Sequence, residues 1–383
     1  MRSFTAALTS AVAIGLLAGC AGGNLGSVGS PMPGAANQSH ISPLARAPIS
    51  LVPSWMTPAG VARLHLDAGS PVRPDKGKPP KTANVIWASQ FDTGTCGTSC
   101  ENEGFVNGYP NPDTSNVKDF CDTPAYYVNG VGTDPKGYLA IPAYFSGSYY
   151  TINVYDPATT ANESGNTCPA LDYSVEDTTG QPAAAASLKG TTSWVVGEIA
   201  NYTSEVGDVV VCTPTACGTP VTNTSITSYV AGVAVDNKGD CWASAETMSF
   251  ASSILVYWAG CTGSGVVVSG YKNAYYGGLF FDKNNNLGSI DLSGNLYIYK
   301  PSSDGSSVSV VLGPVALKGE SLFGNLNSAG NTLSVGDFAN SDVDVYKYSD
   351  TKVKYSYSIS NGFTGGDNVE SGIQGPTNTW THP

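Results

Sequence analysis

Four acidic residues recur at one position of a repeated unit: Glu198 after Val195-Val196-Gly197, Glu246 after Ala243-Ser244-Ala245, Asp291 after Gly288-Ser289-Ile290, and Asp337 after Ser334-Val335-Gly336. Each closes an apolar, strand-like run. Carboxylates gathered on one rim suit a hard cation such as calcium, which prefers oxygen ligands. Neighbouring carboxylates also raise one another's pKa unless a cation lies between them. The simpler reading is local, with each acid capping its own loop by accepting backbone N–H bonds. Near the same loops Tyr144, Tyr202 and Tyr276, with Tyr149, Tyr150, Asn201 and Tyr275, offer stacking and hydrogen bonding to a sugar or peptide. Tyrosine is equally at home on a sheet surface.

Other chemistry is excluded by what the chain lacks. Its three histidines, His40, His65 and His382, all fall outside the repeated units. A Ser-His-Asp or Cys-His constellation needs a base beside its nucleophile, so histidine-based hydrolysis has no seat in the repeats. No phosphate-binding Gly-x-x-x-x-Gly-Lys-Ser/Thr loop occurs. The run Asp282-Lys283-Asn284-Asn285-Asn286 has alternating oxygens, but Leu287 and Ser293 stand where a calcium-binding EF-hand loop requires Gly and Glu. It reads as a strand-to-strand turn, like those at Asp134 and Asp236.

Charge narrows the partners. The 383 residues carry a net charge of −12, with 18 Lys and Arg against 30 Asp and Glu. The acidity is concentrated in residues 83–383, whereas 21–82 are mildly basic. A body of that sign repels phosphate backbones, so nucleic acid is not an expected partner.

The N-terminus gives an address. Arg2, the apolar stretch from Phe4 to Leu17 and the close Leu17-Ala18-Gly19-Cys20 resemble a bacterial lipoprotein signal with its lipobox. The apolar run is too short and too rich in small residues for a spanning helix. The resemblance implies removal of residues 1–20 and diacylglycerol attachment at Cys20, the membrane being a partner through that lipid. Ala21 follows the cysteine where an inner-membrane lipoprotein carries Asp, which implies an outer-membrane or cell-surface anchor. Residues 21–82, with ten of the 24 prolines, form the expected disordered tether. Ser54 to Leu66 is either a short helix docked on the body or a sticky part of the linker.

An exported chain meets an oxidising compartment, where cysteines pair. Eight remain after Cys20. Cys212 and Cys217 flank a four-residue turn, and Cys241 and Cys261 fall on neighbouring strands, so these two bridges are expected. Pairing of Cys96, Cys100, Cys121 and Cys168 stays open. Zinc at Cys96-x-x-x-Cys100 lacks a nearby histidine.

Positioning the carboxylates requires a repeat architecture. Turns ending at residues 137, 190, 239, 286 and 330 recur 53, 49, 47 and 44 residues apart. A second landmark keeps step with them, from Ile152–Tyr155 through Val209–Cys212, Ile254–Tyr257 and Leu296–Tyr299 to Val343–Tyr346. Each unit reads as four short strands, so the body, residues 83–383, is expected to be an all-β propeller of four-stranded antiparallel sheets. Strand-like segments at 84–87, 105–106 and 369–374 are expected to join as a composite closing blade, because a ring avoids a free edge. That gives six blades. A seventh is possible because Trp87 and Trp380 match the places of Trp194 and Trp242.

Gly232-Val233-Ala234-Val235-Asp236-Asn237-Lys238-Gly239, followed by Asp240-Cys241-Trp242-Ala243-Ser244-Ala245-Glu246 and Ile254–Tyr257, resembles an NHL-type repeat of a six-bladed propeller. The resemblance implies a scaffold shared by binding platforms, lyases and sugar-acid lactonases. The leading expectation is a lipid-anchored extracytoplasmic binding or scaffold module without catalysis or cofactor, engaging an envelope protein or glycan. The alternative is a calcium-dependent sugar-acid lactonase or lyase, with Glu198, Glu246, Asp291 and Asp337 as metal ligands.

Overall fold

The computed structural model describes residues 85–91, 104–110, 118–120, 125–128, 130–145, 149–163, 166–201, 206–247, 253–275, 277–291, 293–319, 321–327, 329–337, 342–360 and 368–374, together with 204 and 340. The signal segment, Cys20, the tether, Cys96, Cys100, Cys121 and Trp380 lie outside these residues, and the side chain of Cys168 is likewise not described.

The described body is built of strands. The chain opens with β1 (Val85–Phe91), β2 (Gly104–Pro110) and β3 (Lys118–Phe120). One sheet then gathers β4 (Ala125–Val128), β5 (Gly132–Thr133), β6 (Leu139–Phe145), β7 (Tyr149–Glu163) and β8 (Asn166–Asp177). The next contains β9 (Gly180–Ser187), β10 (Trp194–Asn201) and β11 (Asp208–Cys212). Two four-stranded sheets follow. They comprise β12 (Val230–Val235), β13 (Cys241–Glu246), β14 (Ser253–Trp258) and β15 (Val266–Val267), then β16 (Leu279–Phe281), β17 (Leu287–Ile290), β18 (Asn295–Pro301) and β19 (Val308–Ala316). The last strands are β20 (Ser321–Leu326), β21 (Thr332–Asp337), β22 (Asp342–Ser349), β23 (Lys352–Ile359) and β24 (Asn368–Gln374).

Hydrogen bonding gives five sheets, a correction to the six or seven blades expected from the repeats. The physical reason is a fusion. β24 pairs antiparallel with β1, as the composite-closure argument requires, but it also pairs in parallel with β20 through Phe323 and Gly324. The last repeat and the closing segment therefore share one eight-stranded sheet, β23-β22-β21-β20-β24-β1-β2-β3. The sheet of β9 to β11 departs in another way. Its expected fourth strand is replaced by an irregular segment that touches β11 through a Val209–Val221 bridge.

Contacts between inner strands run from β5 to β9, β12, β16 and β20, and return through β24 to β5, so the array closes on itself. Sheets stacked around an axis are covered on both faces, which explains why β13 is buried along its whole length, Ser244 and Glu246 included, and β12 everywhere but at Val235. Trp194 and Trp242, the landmark residues of the second strands, are buried, and so is Trp87 on β1. At the axis the strands approach so closely that a Cβ on Gly232 would lie 2.1 Å from the Gly277 carbonyl oxygen. Only glycine permits that distance. Disulfides join Cys212 to Cys217 and Cys241 to Cys261.

Candidate functional site

The turns after the inner strands are built alike. Asp134 Oδ1 accepts from the backbone N–H of Lys136 and Tyr138, Asp236 Oδ1 from Lys238 and Asp240, and Asp282 Oδ1 from Asn284 and Asn286. Asn327 does the same work with Asn331 and Thr332. These acids and the asparagine are the local fasteners of their turns. Adjacent turns are also linked to one another: Lys189 Nζ donates to the Asn237 carbonyl, and the Asn237 amide to Asn285 Oδ1. Together they surround a cavity of about 400 Å³ at this end of the axis, lined by Lys189, Asn237, Lys283, Asn285 and Asn327 among others. The inner strands enclose a smaller space of about 170 Å³, lined by Gly132, Ala185, Val233, Phe280 and Phe323 among others.

The four carboxylates singled out by spacing lie at the other end of the second strands. All four are buried. Glu246, the last residue of β13, has Oε2 without a hydrogen-bond partner among the described residues, and burial pushes its carboxyl up to about 8. Asp291 is taken up by its own turn, Oδ1 accepting from Ser293 Oγ at 3.0 Å and from the Asn295 amide at 2.9 Å. Burial again raises its pKa.

Asp337 belongs to a larger group. Its oxygens accept from the Asn340 amide and side chain, and it converges with Asp342 and Asp344, ligand atoms of all three lying within 4.8 Å of one another. Lys318 supplies the counter-charge, its Nζ lying 3.3 Å from Asp342 Oδ2 and 3.4 Å from Asp344 Oδ1. The same ammonium donates to Ser358 Oγ and lies 5.5 Å from the centre of the Tyr355 ring. Burial works against its charge, but Asp344 and Asp342 outweigh burial and raise its pKa. Burial pushes Asp337 up to about 6, and burial with the Asp344 charge pushes Asp342 up to about 7. Gly319 makes room here, since a Cβ on it would lie 2.0 Å from Asp337 Oδ2.

Glu198 forms a third arrangement with Asp177 and Asp208. All three are buried, and Asp208 stands directly opposite Glu198 in the β10–β11 ladder. Thr179 Oγ1 bridges Asp177 and Glu198, and Asn201 Nδ2 donates to Asp208 Oδ2 at 2.9 Å. Burial raises all three pKa values, and for Glu198 the charges of Asp177 and Asp208 add to it.

The second-strand acids thus occupy equivalent places, but each has its own surroundings. Asp177, Asp208, Lys318, Asp342 and Asp344 were not marked by the spacing argument. The signal available was faint: Asp208 and Asp342 each open the third strand opposite a second-strand acid, whereas Ser253 holds that place opposite Glu246. Of the tyrosines, Tyr144 lies on β6 opposite Tyr150 with its side chain outside the described set, and Tyr202 and Tyr276 lie outside the described residues.

No protein-family model matches the chain, and no curated protein matches it. Solved structures do. The chain is similar to a structure described as a nidogen/laminin complex, at 13% identity and a TM-score of 0.53, over 76% of this chain and 98% of that one. It is also similar to TolB from Acinetobacter baumannii, at 9% identity and a TM-score of 0.51, over 76% and 67% of the two chains. A periplasmic gluconolactonase from Pseudomonas aeruginosa aligns at 11% identity with a TM-score of 0.48, over 76% and 99%. At these identities the likeness is one of fold, a β-propeller.

Proposed function

We propose that this protein is an exported lipoprotein, anchored through Cys20 to the outer membrane or cell surface, whose NHL-like propeller is a binding or scaffold module without catalysis. The observation that carries the reading is the cavity of about 400 Å³ at the mouth formed by the turns. Its rim offers Lys189, Lys283 and the amides of Asn237, Asn285 and Asn327, while Asp236 and Asp282 have Oδ1 occupied by their own turns. Such a rim suits hydrogen bonding to the polar groups of a glycan or of a loop on an envelope protein. The calcium-dependent lactonase or lyase reading needs several of Glu198, Glu246, Asp291 and Asp337 around one point near the axis. Their separate partners favour binding over that chemistry.

Two measurements test the proposal. Radiolabelled palmitate should be incorporated into the wild-type chain and not into Cys20→Ser, which should leave the membrane fraction. Calorimetric titration of the whole protein with soluble envelope glycan fragments and peptides should give binding that Lys189→Ala with Lys283→Ala weakens. Palmitate label retained by Cys20→Ser refutes the anchor, and binding untouched by the rim variants refutes the mouth.

A further inference from the structure

At the mouth formed by the turns, side-chain acceptors are spent and donors are not. Asp236 Oδ1 accepts from two backbone amides and Oδ2 from Trp242 Nε1 at 3.4 Å. Asp282 Oδ1 also accepts from two amides, and its Oδ2 takes the Asn286 side chain and the Tyr348 hydroxyl. The side-chain oxygen of Asn285 receives the Asn237 amide, that of Asn325 the Leu326 amide, and that of Asn327 the amides of Asn331 and Thr332. Donors remain. Lys283 forms no ion pair among the described residues, and Lys189 Nζ gives one hydrogen bond, to the Asn237 carbonyl at 3.2 Å, where an ammonium has three to give. The amide nitrogens of Asn285 and Asn325 have no acceptor among the described residues.

Lys189, Lys283, Asn285 and Asn325 line the same cavity of about 400 Å³, brought there by the β9–β10 turn, the β16–β17 turn and β20. A neutral sugar brings hydroxyl donors along with its acceptors, and the side-chain acceptors of these turns are engaged. An oxyanion brings acceptors alone, and its hydrogen bonds to an ammonium are charge-assisted. We propose that this mouth selects a glycan by its negative charge, seating the carboxylate or phosphate of an acidic sugar residue against Lys189 and Lys283 with the Asn285 and Asn325 amides as further donors. This assignment rests on the binding role proposed for the cavity and names the chemical class of its ligand.

The surroundings fit an acidic sugar. No arginine follows Arg73, so the cavity has no planar fork for a carboxylate, and its ammoniums are point charges that take carboxylate and phosphate alike. Asp236 and Asp282 line the same cavity, but the N–H and O–H dipoles that hold them already meet their charge. The net negative charge of the body opposes a nucleic acid, which meets it at many phosphates. A single oxyanion answers chiefly to groups within a Debye length, about 8 Å at physiological salt. Phe281 and Leu326 complete the wall with apolar surface on which the C–H face of a sugar ring can lie. A peptide is commonly read along an open strand edge or an apolar groove, whereas turns bound this cavity.

The experiment uses the whole chain in detergent, its lysines carrying isotope-labelled methyl groups that preserve the charge and give each ammonium an NMR signal. Inorganic phosphate and glucuronate, added separately at constant ionic strength, should move the Lys189 and Lys283 signals together and saturably, and leave those of Lys352 and Lys354 on β23 in place. Glucose should move none of them. Calorimetry on the unmodified protein then separates the sources, with a uronic-acid oligosaccharide, a phosphate-substituted one and their neutral counterpart. At least one acidic form should bind about tenfold tighter than the neutral one, an advantage that Lys283→Ala removes and Lys283→Arg keeps. Lys189 and Lys283 signals indifferent to both anions overturn the proposal. Equal binding of acidic and neutral oligosaccharides, weakened alike by Lys283→Ala, also overturns it and leaves the mouth a glycan site blind to charge. Binding of an acidic peptide and of none of the acidic oligosaccharides overturns the glycan and leaves the mouth to a protein partner.

Discussion

Lys318 Nζ lies 3.4 Å from Asp344 Oδ1 in a cluster where Asp344 is fully buried and the lysine side chain is 10% exposed. An ammonium so placed is part of the interior, not a surface charge. Removing one partner of a buried ion pair leaves the other uncompensated, which costs more than the pair is worth in net stability.

Lys318→Met is therefore expected to lose about 3–5 kcal/mol of unfolding free energy in urea denaturation. Combining it with Asp342→Asn and Asp344→Asn should restore part of the loss, since the stranded charges are then gone. A single variant as stable as wild type would show that the lysine charge contributes nothing to holding the buried acids.

Glu246 gives a pH signature. Burial holds its folded pKa at about 8 against an ordinary 4.5, so the folded protein keeps a proton that the unfolded chain has lost. Stability from this group is complete below the unfolded value and falls as pH rises through that window, with the full penalty reached above about 8. Melting curves between roughly pH 5 and 9 should show wild type losing ground steadily against Glu246→Gln, with the difference levelling at the alkaline end. A difference that does not vary with pH would mean that the carboxyl is solvated in solution.

The two disulfides should differ in worth. Cys241 and Cys261 close a loop of 20 residues in sequence and Cys212 and Cys217 one of 5. Loop-closure entropy assigns about 3 kcal/mol to the longer and about 1 kcal/mol less to the shorter. Paired Cys→Ser replacements compared by chemical denaturation should reproduce that order. Equal losses would point to packing around the sulfurs as the larger effect, because Cys241 and Cys212 both lie in buried apolar clusters.

The ring was legible because its signals are local and repeated. The polar turns with Gly or Asn and the apolar third strands recur with one period, and the carboxylates that end the second strands could be placed by counting along a strand. What escaped was everything decided between repeats. The parallel pairing of Phe323 and Gly324 with residues of β24 joins segments some distance apart in the chain, and no periodicity announces it. The partners of Glu198 and Asp337 were missed for the same reason. Asp177 comes from the preceding sheet and Lys318 from the connection before β20, so spacing within one unit says nothing of them. The cavity at the turns also went unread, since it arises from the convergence of side chains that each have a local job.

β1 finds its neighbour in β24 only after the chain has passed through every intervening sheet. For a polypeptide made from its N-terminus, β1 must wait with one edge unsatisfied until β24 is delivered. The ring is therefore sealed late, and a protease that clips β24 before it docks would act on a circle already drawn but not yet locked.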